Sequence, residues 1–382
     1  MRYLGNKTKL LGAIEAAARR LGFEGGTVCD LFAGSGAVSR FFRSRGCRVL
    51  ACDLMESSHV FQRVHLELDG APSFDRLRSA VDLRQPGEHR PELPEGVTRT
   101  IAHLERVPAT DGLFTRQYSP DGVAGRAFFR PDVTRRIDAI IAEIRDWFAR
   151  DLIDELERDY LTAALIDAAD RRANISGTYG AFLKRWQSNA DGQLRLVPPE
   201  VGNGPVGAGH LGDASTWIGE VDADLLYLDP PYNGRQYAAN YHIFEVIVRA
   251  VRCDDPPELE ASIYGKTGLV PWRDKASKLC SRRGRECHDA FREILRATRI
   301  PRVVISYNEE GIITRDEFRE MLSEYAGEPV EAGEWLTEIP YRRFRSDADG
   351  RISTTGSSRS YKSIPGRERD EVREWLFHVR RR

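Results

Sequence analysis

Residues 27–53, "TVCDLFAGSGAVSRFFRSRGCRVLACD", constrain the fold more than any other stretch. "TVCDLFA" reads as a short buried strand, "GSG" as a tight turn, and "AVSRFFRSRG" as a helix closed by Gly46. "CRVLACD" reads as a second buried strand that ends in Asp53. Strand, turn, helix and strand within this length make a βαβ unit. The expectation is an α/β sheet.

The pattern changes between about 61 and 204. Residues 85–96 are rich in Pro, Gly and Glu and read as a loop. Apolar residues then recur at helical spacing, at Ile137, Ile140, Ile141, Ile144, Trp147, Phe148, Leu152, Ile153 and Leu156. That spacing predicts a helical bundle with its own core. After the Pro/Gly-rich link 198–212, strand-like runs resume with "DLLYL" and with "RVVISYN" at 302–308. A chain of 382 residues is long for one core. The division expected is a sheet-bearing domain from 1–60 and 205–382, with 61–204 inserted as a mainly helical region.

Composition narrows the classes. Charged residues are 30% and hydrophobic ones 41%, as in a soluble globular protein, and no apolar stretch approaches a membrane span. The N-terminus lacks a signal-type apolar stretch, so a cytoplasmic location is expected. A net charge of −1 argues against a generally adhesive nucleic-acid binder but leaves room for a local basic groove. Cys29, Cys47 and Cys52 lie in apolar stretches as small hydrophobes. Cys280, Cys287 and His288 match no standard zinc spacing, so no metal is expected.

The glycine turn in "DLFAGSGAVS" lets a ligand approach the backbone at Gly34 and Gly36. A dinucleotide site would need a third glycine where Ser39 stands. Asp30, just before the turn, would repel a pyrophosphate but welcome an ammonium group. S-adenosylmethionine carries an α-amino group and a sulfonium and has no phosphate. Asp53 ends the next strand, where an acid accepts from ribose hydroxyls. The turn read alone is equally consistent with a structural glycine bend and a capping acid.

The stretch "YLDPPYNGRQY" at 227–237 puts a carboxylate and an aromatic ring on a rigid hinge after an apolar run. A nucleobase amino group is a poor nucleophile because its lone pair is delocalised. Asp229 and the carbonyl of Pro230 can accept its two N–H bonds, with Pro231 stiffening the turn. Tyr232 offers a face on which a base that has left the duplex can stack. The plain alternative is a strand-ending turn with Tyr232 packed nearby.

Together, "DLFAGSG" and "DPPY" resemble the DNA amino-methyltransferases, specifically the alpha-class adenine methylases. "RYLGNKTKLL" at 2–11 is similar to the N-terminal motif of that family, and the order of motifs matches. "DPPYNGRQYAANYH" resembles the active-site segment of methylases from type II restriction systems. Looser likeness runs through "VVISYNEEGI" and "EIPYRRFRS". The resemblance implies a Rossmann-like S-adenosylmethionine-dependent sheet, an adenine N6 of duplex DNA as target, and a restriction endonuclease sharing the target sequence as partner. It implies cofactor contacts at Tyr3, Lys7, Asp53 and Asp229, with Tyr3 standing where some members have tryptophan. Asp213, ahead of the DPPY strand, would accept from the cofactor's adenine. Methylation of RNA adenine or of cytosine N4, or a non-catalytic DNA-binding relative, are the alternatives.

"NISGTYGAFLKRWQ" at 174–187 reads either as a loop that enters the duplex, with Lys184 and Arg185 on DNA, or as a helix with Phe182 and Trp186 buried. Arg235, Gln236 and Tyr237 follow the catalytic turn and are candidates for the flipped nucleotide or its neighbours. "SRRGRE" at 281–286 and "YRRFR" at 341–345, with Arg342 and Arg343, are candidate phosphate contacts. His242 is expected to pack on the helix after the site.

Overall fold

The computed structural model describes residues 7–83, 93–330, 334–342 and 371–382. Tyr3 and Arg343 lie outside these residues, and of Arg342 only the backbone is described. Seven strands form one sheet: β1 Thr27–Asp30, β2 Arg48–Asp53, β3 Ala208–Leu211, β4 Leu225–Leu228, β5 Arg302–Asn308, β6 Leu336–Arg342 and β7 Glu371–Arg380. Their order is β3-β2-β1-β4-β5-β7-β6. The first five run parallel, and β7 is antiparallel to both β5 and β6. β4 sits between β1 and β5 and is buried along its whole length, which is why "LLYL" is an unbroken apolar run.

The helices are α1 Leu11–Arg20, α2 Ala37–Ser44, α3 Glu56–Leu66, α4 Asp75–Ala80, α5 Glu95–Leu104, α6 Leu113–Tyr118 and α7 Pro131–Ala149. They continue as α8 Glu155–Arg172, α9 Ala214–Trp217, α10 Tyr237–Asn240, α11 His242–Arg252, α12 Pro256–Ala261, α13 Glu286–Ala297 and α14 Arg315–Ala326. The expected βαβ unit is β1-α2-β2, with Gly46 in the left-handed region after α2 (φ 82°).

The excursion between β2 and β3 begins one helix later than the sequence suggests. Position 61 falls inside α3, which packs on β2 and β3. The chain leaves the sheet after Leu66 and returns at Gly207, whose N–H donates to the Leu66 carbonyl at 2.9 Å. The buried Arg43 guanidinium fastens both stems, donating to the carbonyls of His65 (2.5 Å), Leu68 (2.9 Å) and Gly204 (3.1 Å).

The core of the helical region is shared with the sheet-bearing part. One buried cluster runs from α3 through α5, α7 and α8 into α11. The reason lies in α11, "HIFEVIVRAVR", in which Ile243, Phe244, Val246, Ile247, Val248, Ala250 and Val251 are all buried. Glu245, Arg249 and Arg252 share one polar stripe, and the broad apolar remainder of the helix must be covered. α3, α7 and α8 supply that cover.

Candidate active site

Strand register brings the acids together. Asp30 pairs with Ala51 on one side and Tyr227 on the other. Asp53 and Asp229 each lie two residues beyond those partners, so the three carboxylates reach one edge of the sheet. Lys7 and Asp229 meet there at 3.2 Å. The pocket at this edge is lined by Lys7, Asp30, Phe32, Gly34, Asp53, Asp229, Pro231, Tyr232 and Tyr237. A second pocket shares Phe32, Asp53, Pro231 and Tyr237 with it and continues past Met55, Asp213, Ser215, Lys275, Ser277 and Leu279.

Each acid has a distinct environment. Asp30 accepts from Ser39 Oγ at 2.5 Å through Oδ2, while its buried Oδ1 has no partner. Burial pushes this carboxyl up to about 7; the Ser39 bond opposes the rise, and Asp229 and Asp53 add repulsion. Asp53 accepts the Gly34 N–H at 2.8 Å and the Met55 N–H at 2.9 Å, tying the glycine turn to the start of α3. Burial holds it at about 6 against those two bonds. Burial also raises Asp229 to about 7, with Lys7 pulling it down and Glu374 pushing it up. A buried acid with one oxygen unsatisfied calls for a donor, best a cationic one. These residues therefore suit a ligand that carries an ammonium group and ribose hydroxyls.

Tyr232 is half-buried, its ring set edge-on to Tyr307 at 6.5 Å. Its carbonyl receives the Ile312 N–H at 3.1 Å, and the Tyr307 hydroxyl oxygen receives the N–H groups of Ile312 and Ile313. The "VVISYNEEGI" stretch thus braces the DPPY turn. Pro230 is buried beneath it.

Other expected site residues are redistributed. Gly34 lines the pocket, whereas Gly36 begins α2 in the left-handed region (φ 74°) and faces His65. Asp213 borders the second pocket but caps α9, accepting from the Ser215 N–H at 2.8 Å and its hydroxyl at 2.6 Å. Gln236 turns away from the role expected of it on nucleic acid. Its amide donates to the Ser277 carbonyl (3.1 Å) and accepts the Ser277 N–H (2.9 Å), fastening the segment that covers the second pocket. These bonds use one donor and one acceptor of the side-chain amide. Tyr237 lines both pockets, and Arg235 is exposed.

Residues 174–187 form a loop and no helix. Phe182 packs on Phe128 at 5.1 Å, and the Arg130 guanidinium lies over the Trp186 ring at 4.1 Å. Tyr179 is buried, and its N–H donates to Asn240 at the end of α10, so the loop borders the catalytic segment. Lys184 and Arg185 are exposed. Arg282 is also exposed and lies against Gly234 in the catalytic turn. His242 opens α11, buried, with its ring nitrogens facing the carbonyls of Ala239 and Thr267.

Sequence reasoning missed Glu374. It lies in β7, near the other end of the chain, and reaches Lys7 at 2.5 Å. No motif marks it; only the pairing of Glu374 with Asn308 on β5 brings it to this edge. Among the described residues, no group of three potential metal ligands occurs, and no helix is long and apolar enough to cross a membrane. The Cys280 and Cys287 thiols donate to the Arg235 and Leu279 carbonyls.

Comparison with known proteins gives the family of the chain. The type II methyltransferase M.FokI of Planomicrobium okeanokoites is 32% identical over 383 residues, covering all of this chain and 53% of that protein. M.NlaIII of Neisseria lactamica is 31% identical over 356 residues, covering 91% of this chain and 93% of its own length. The modification methylase StsI of Streptococcus sanguinis is 28% identical over 351 residues, 91% of this chain and 49% of that protein. The chain thus spans about half the length of the FokI and StsI methylases and nearly all of the NlaIII one. The model of the D12 class N6 adenine-specific DNA methyltransferases matches residues 3–252, from the segment holding Lys7 through the catalytic turn to the end of α11. With that match over most of its length, the chain belongs to the D12 class of N6 adenine-specific DNA methyltransferases.

Proposed function

We propose that this chain methylates the N6 of an adenine flipped out of duplex DNA at a specific sequence, with S-adenosylmethionine as donor. The observation that carries the reading is the meeting of Asp30, Asp53, Asp229 and Tyr232 at one sheet edge, with Asp30 Oδ1 buried and unpartnered. S-adenosylmethionine, when bound, supplies a methyl group on a sulfonium. Asp30 would receive its ammonium and Asp53 its ribose hydroxyls. Lys7 occupies Oδ1 of Asp229 and leaves Oδ2 to accept one N–H of the target amine. The Pro230 carbonyl accepts the other, so the nitrogen lone pair is freed to attack in line. The surplus proton leaves the nitrogen after transfer. Tyr232 holds the base by stacking.

Expression in a host that lacks adenine methylation, followed by sequencing with modified-base detection, tests this. N6-methyladenine at one short sequence is expected. N4-methylcytosine instead, or unmodified DNA from a folded protein, would overturn it. A cognate endonuclease sharing that sequence belongs to the same proposal, on the strength of the relatives named above.

The donor assignment has a pH signature. Asp30 must be ionised to pair with an ammonium, yet burial holds it near 7. Below that pH, binding must first expel a proton, and affinity falls by up to about tenfold per unit. Calorimetry with S-adenosylmethionine is expected to show affinity falling as pH drops below about 7, steepening toward about pH 5. A flat profile would place the ammonium elsewhere.

We assign target recognition to residues 61–204, because reading several base pairs takes roughly 1,000 Å² of protein surface or more and this region can add it. Lys184 and Arg185 are the sharpest candidates. Replacing both with alanine should weaken DNA binding about tenfold or blur the methylated sequence, with donor affinity unchanged. A methylation map and DNA affinity like those of the wild type would make this loop scaffold and shift attention to Arg235 and Arg282.

A further inference from the structure

We propose that Glu374 is a positioning residue for methyl transfer, holding Lys7 so that its ammonium covers one oxygen of Asp229 and leaves the other to the target amine. The proposal rests on the reading of this edge as a site of adenine N6 methylation. Glu374 and Lys7 are 4% and 5% exposed. Lys7 Nζ lies 2.5 Å from Glu374 Oε1 and 3.2 Å from Asp229 Oδ1. Asn308 Nδ2, on the neighbouring strand β5, donates to the other Glu374 oxygen at 3.4 Å.

A buried ion pair seldom stabilises a fold more than an apolar pair of the same volume. The sheet has no need of charge at this place in β7, where Val372, Leu376 and Phe377 are buried nearby. The charge count supplies the reason. With all three groups ionised, Glu374, Lys7 and Asp229 sum to one negative charge. Without Glu374, Lys7 and Asp229 would cancel, and Asp229 would accept more weakly from an amine that becomes cationic as the methyl arrives. Other ionisable groups also face Asp229. Asp30 comes from β1, Tyr227 from β4, Tyr232 from the turn and Tyr237 from α10. Asp53 stands behind Asp30. Lys7 is the cation in this set, so whatever fixes Lys7 fixes the electrostatics of Asp229.

The test is Glu374→Gln in the full chain. Glutamine keeps an oxygen for Lys7 and removes the charge. Single-turnover methylation of a duplex bearing the mapped target is followed from about pH 5 to pH 9. The plateau rate is expected to fall about tenfold or more. The acid limb is expected to move to lower pH by about one unit, because Asp229 loses a repelling neighbour. DNA affinity in the absence of donor stays within about twofold, since Glu374 is buried behind Lys7. A folded variant with the wild-type plateau and limb overturns the proposal. So does a lower plateau with an unmoved limb, which is the mark of a merely structural strand residue.

If Glu374→Gln does not fold, Glu374→Asp decides. It keeps the charge but draws Lys7 back by about 1 Å, and a plateau up to about a hundredfold lower is expected, with an unmoved limb. A wild-type plateau in that variant overturns the proposal. Absence of N6-methyladenine with the wild-type protein would instead defeat the functional reading on which it rests.

Discussion

Replacing Asp229 with asparagine is expected to lower methyl transfer by about three orders of magnitude or more, while the fold is kept. The amide oxygen can still face the target nitrogen, but it carries no charge to answer the one that develops there. Its NH2 group, if turned toward the base, would repel the amine outright. The fold survives because Lys7 keeps Glu374 as a partner at 2.5 Å. Stability is expected to move the opposite way from activity. Burial raises the Asp229 carboxyl from 3.8 to about 7. A group raised in this way favours the folded state below its unfolded value, and that contribution is lost as pH rises through the folded value. Above about pH 7 the ionised wild-type carboxylate is therefore a burden, and the asparagine variant should melt higher. Below about pH 4 the carboxyl is protonated in both states and this burden disappears. Thermal melts across pH, beside single-turnover rates, check both halves. Turnover near that of the wild type would remove Asp229 from the chemistry.

Asp53→Ala is expected to weaken donor binding by about ten- to a hundredfold. DNA affinity in the absence of donor should not change. Two effects add. The ribose hydroxyls lose their acceptor, and the glycine turn loses its anchor, because the Gly34 and Met55 N–H groups both end on this carboxylate. Two partly buried donors left without acceptors also cost about 2 kcal/mol of stability in total. Asp53→Asn keeps one oxygen for one of those donors and should recover part of the stability but less of the binding. Calorimetry showing the same donor affinity in Asp53→Ala would put the ribose contact elsewhere.

The helical region shows where periodicity stops informing. The apolar spacing at Ile137, Ile140, Ile144 and Trp147 correctly predicts a helix, since spacing reports which residues share a face. It does not report what that face meets. α7 packs on α6 and α8 within the region and also on α11, whose sequence lies beyond β4, and the boundary at 61 cuts α3, which packs on the sheet. In 174–187, aromatic and basic residues suggest a helix as readily as a loop. Phe182 on Phe128 and Trp186 under Arg130 settle the loop, through contacts with distant segments.

The sequence by itself determined the parallel unit β1-α2-β2, the buried strand β4, and the placing of Asp30 and Asp53 at strand ends and of Asp229 just past one. Those features are local: the strands are short apolar runs, a glycine turn follows β1 within four residues, and the Pro230-Pro231 pair follows β4. Tertiary structure alone decided that the three acids crowd into one buried edge, where burial lifts their pKa values and leaves Asp30 Oδ1 without a partner. It alone committed the Gln236 amide to Ser277, and it alone brought Glu374 to Lys7 across 367 positions of the chain. Strand order and register make those meetings, and neither is written in any short stretch of residues, because each strand's neighbours are chosen by the packing of the whole sheet.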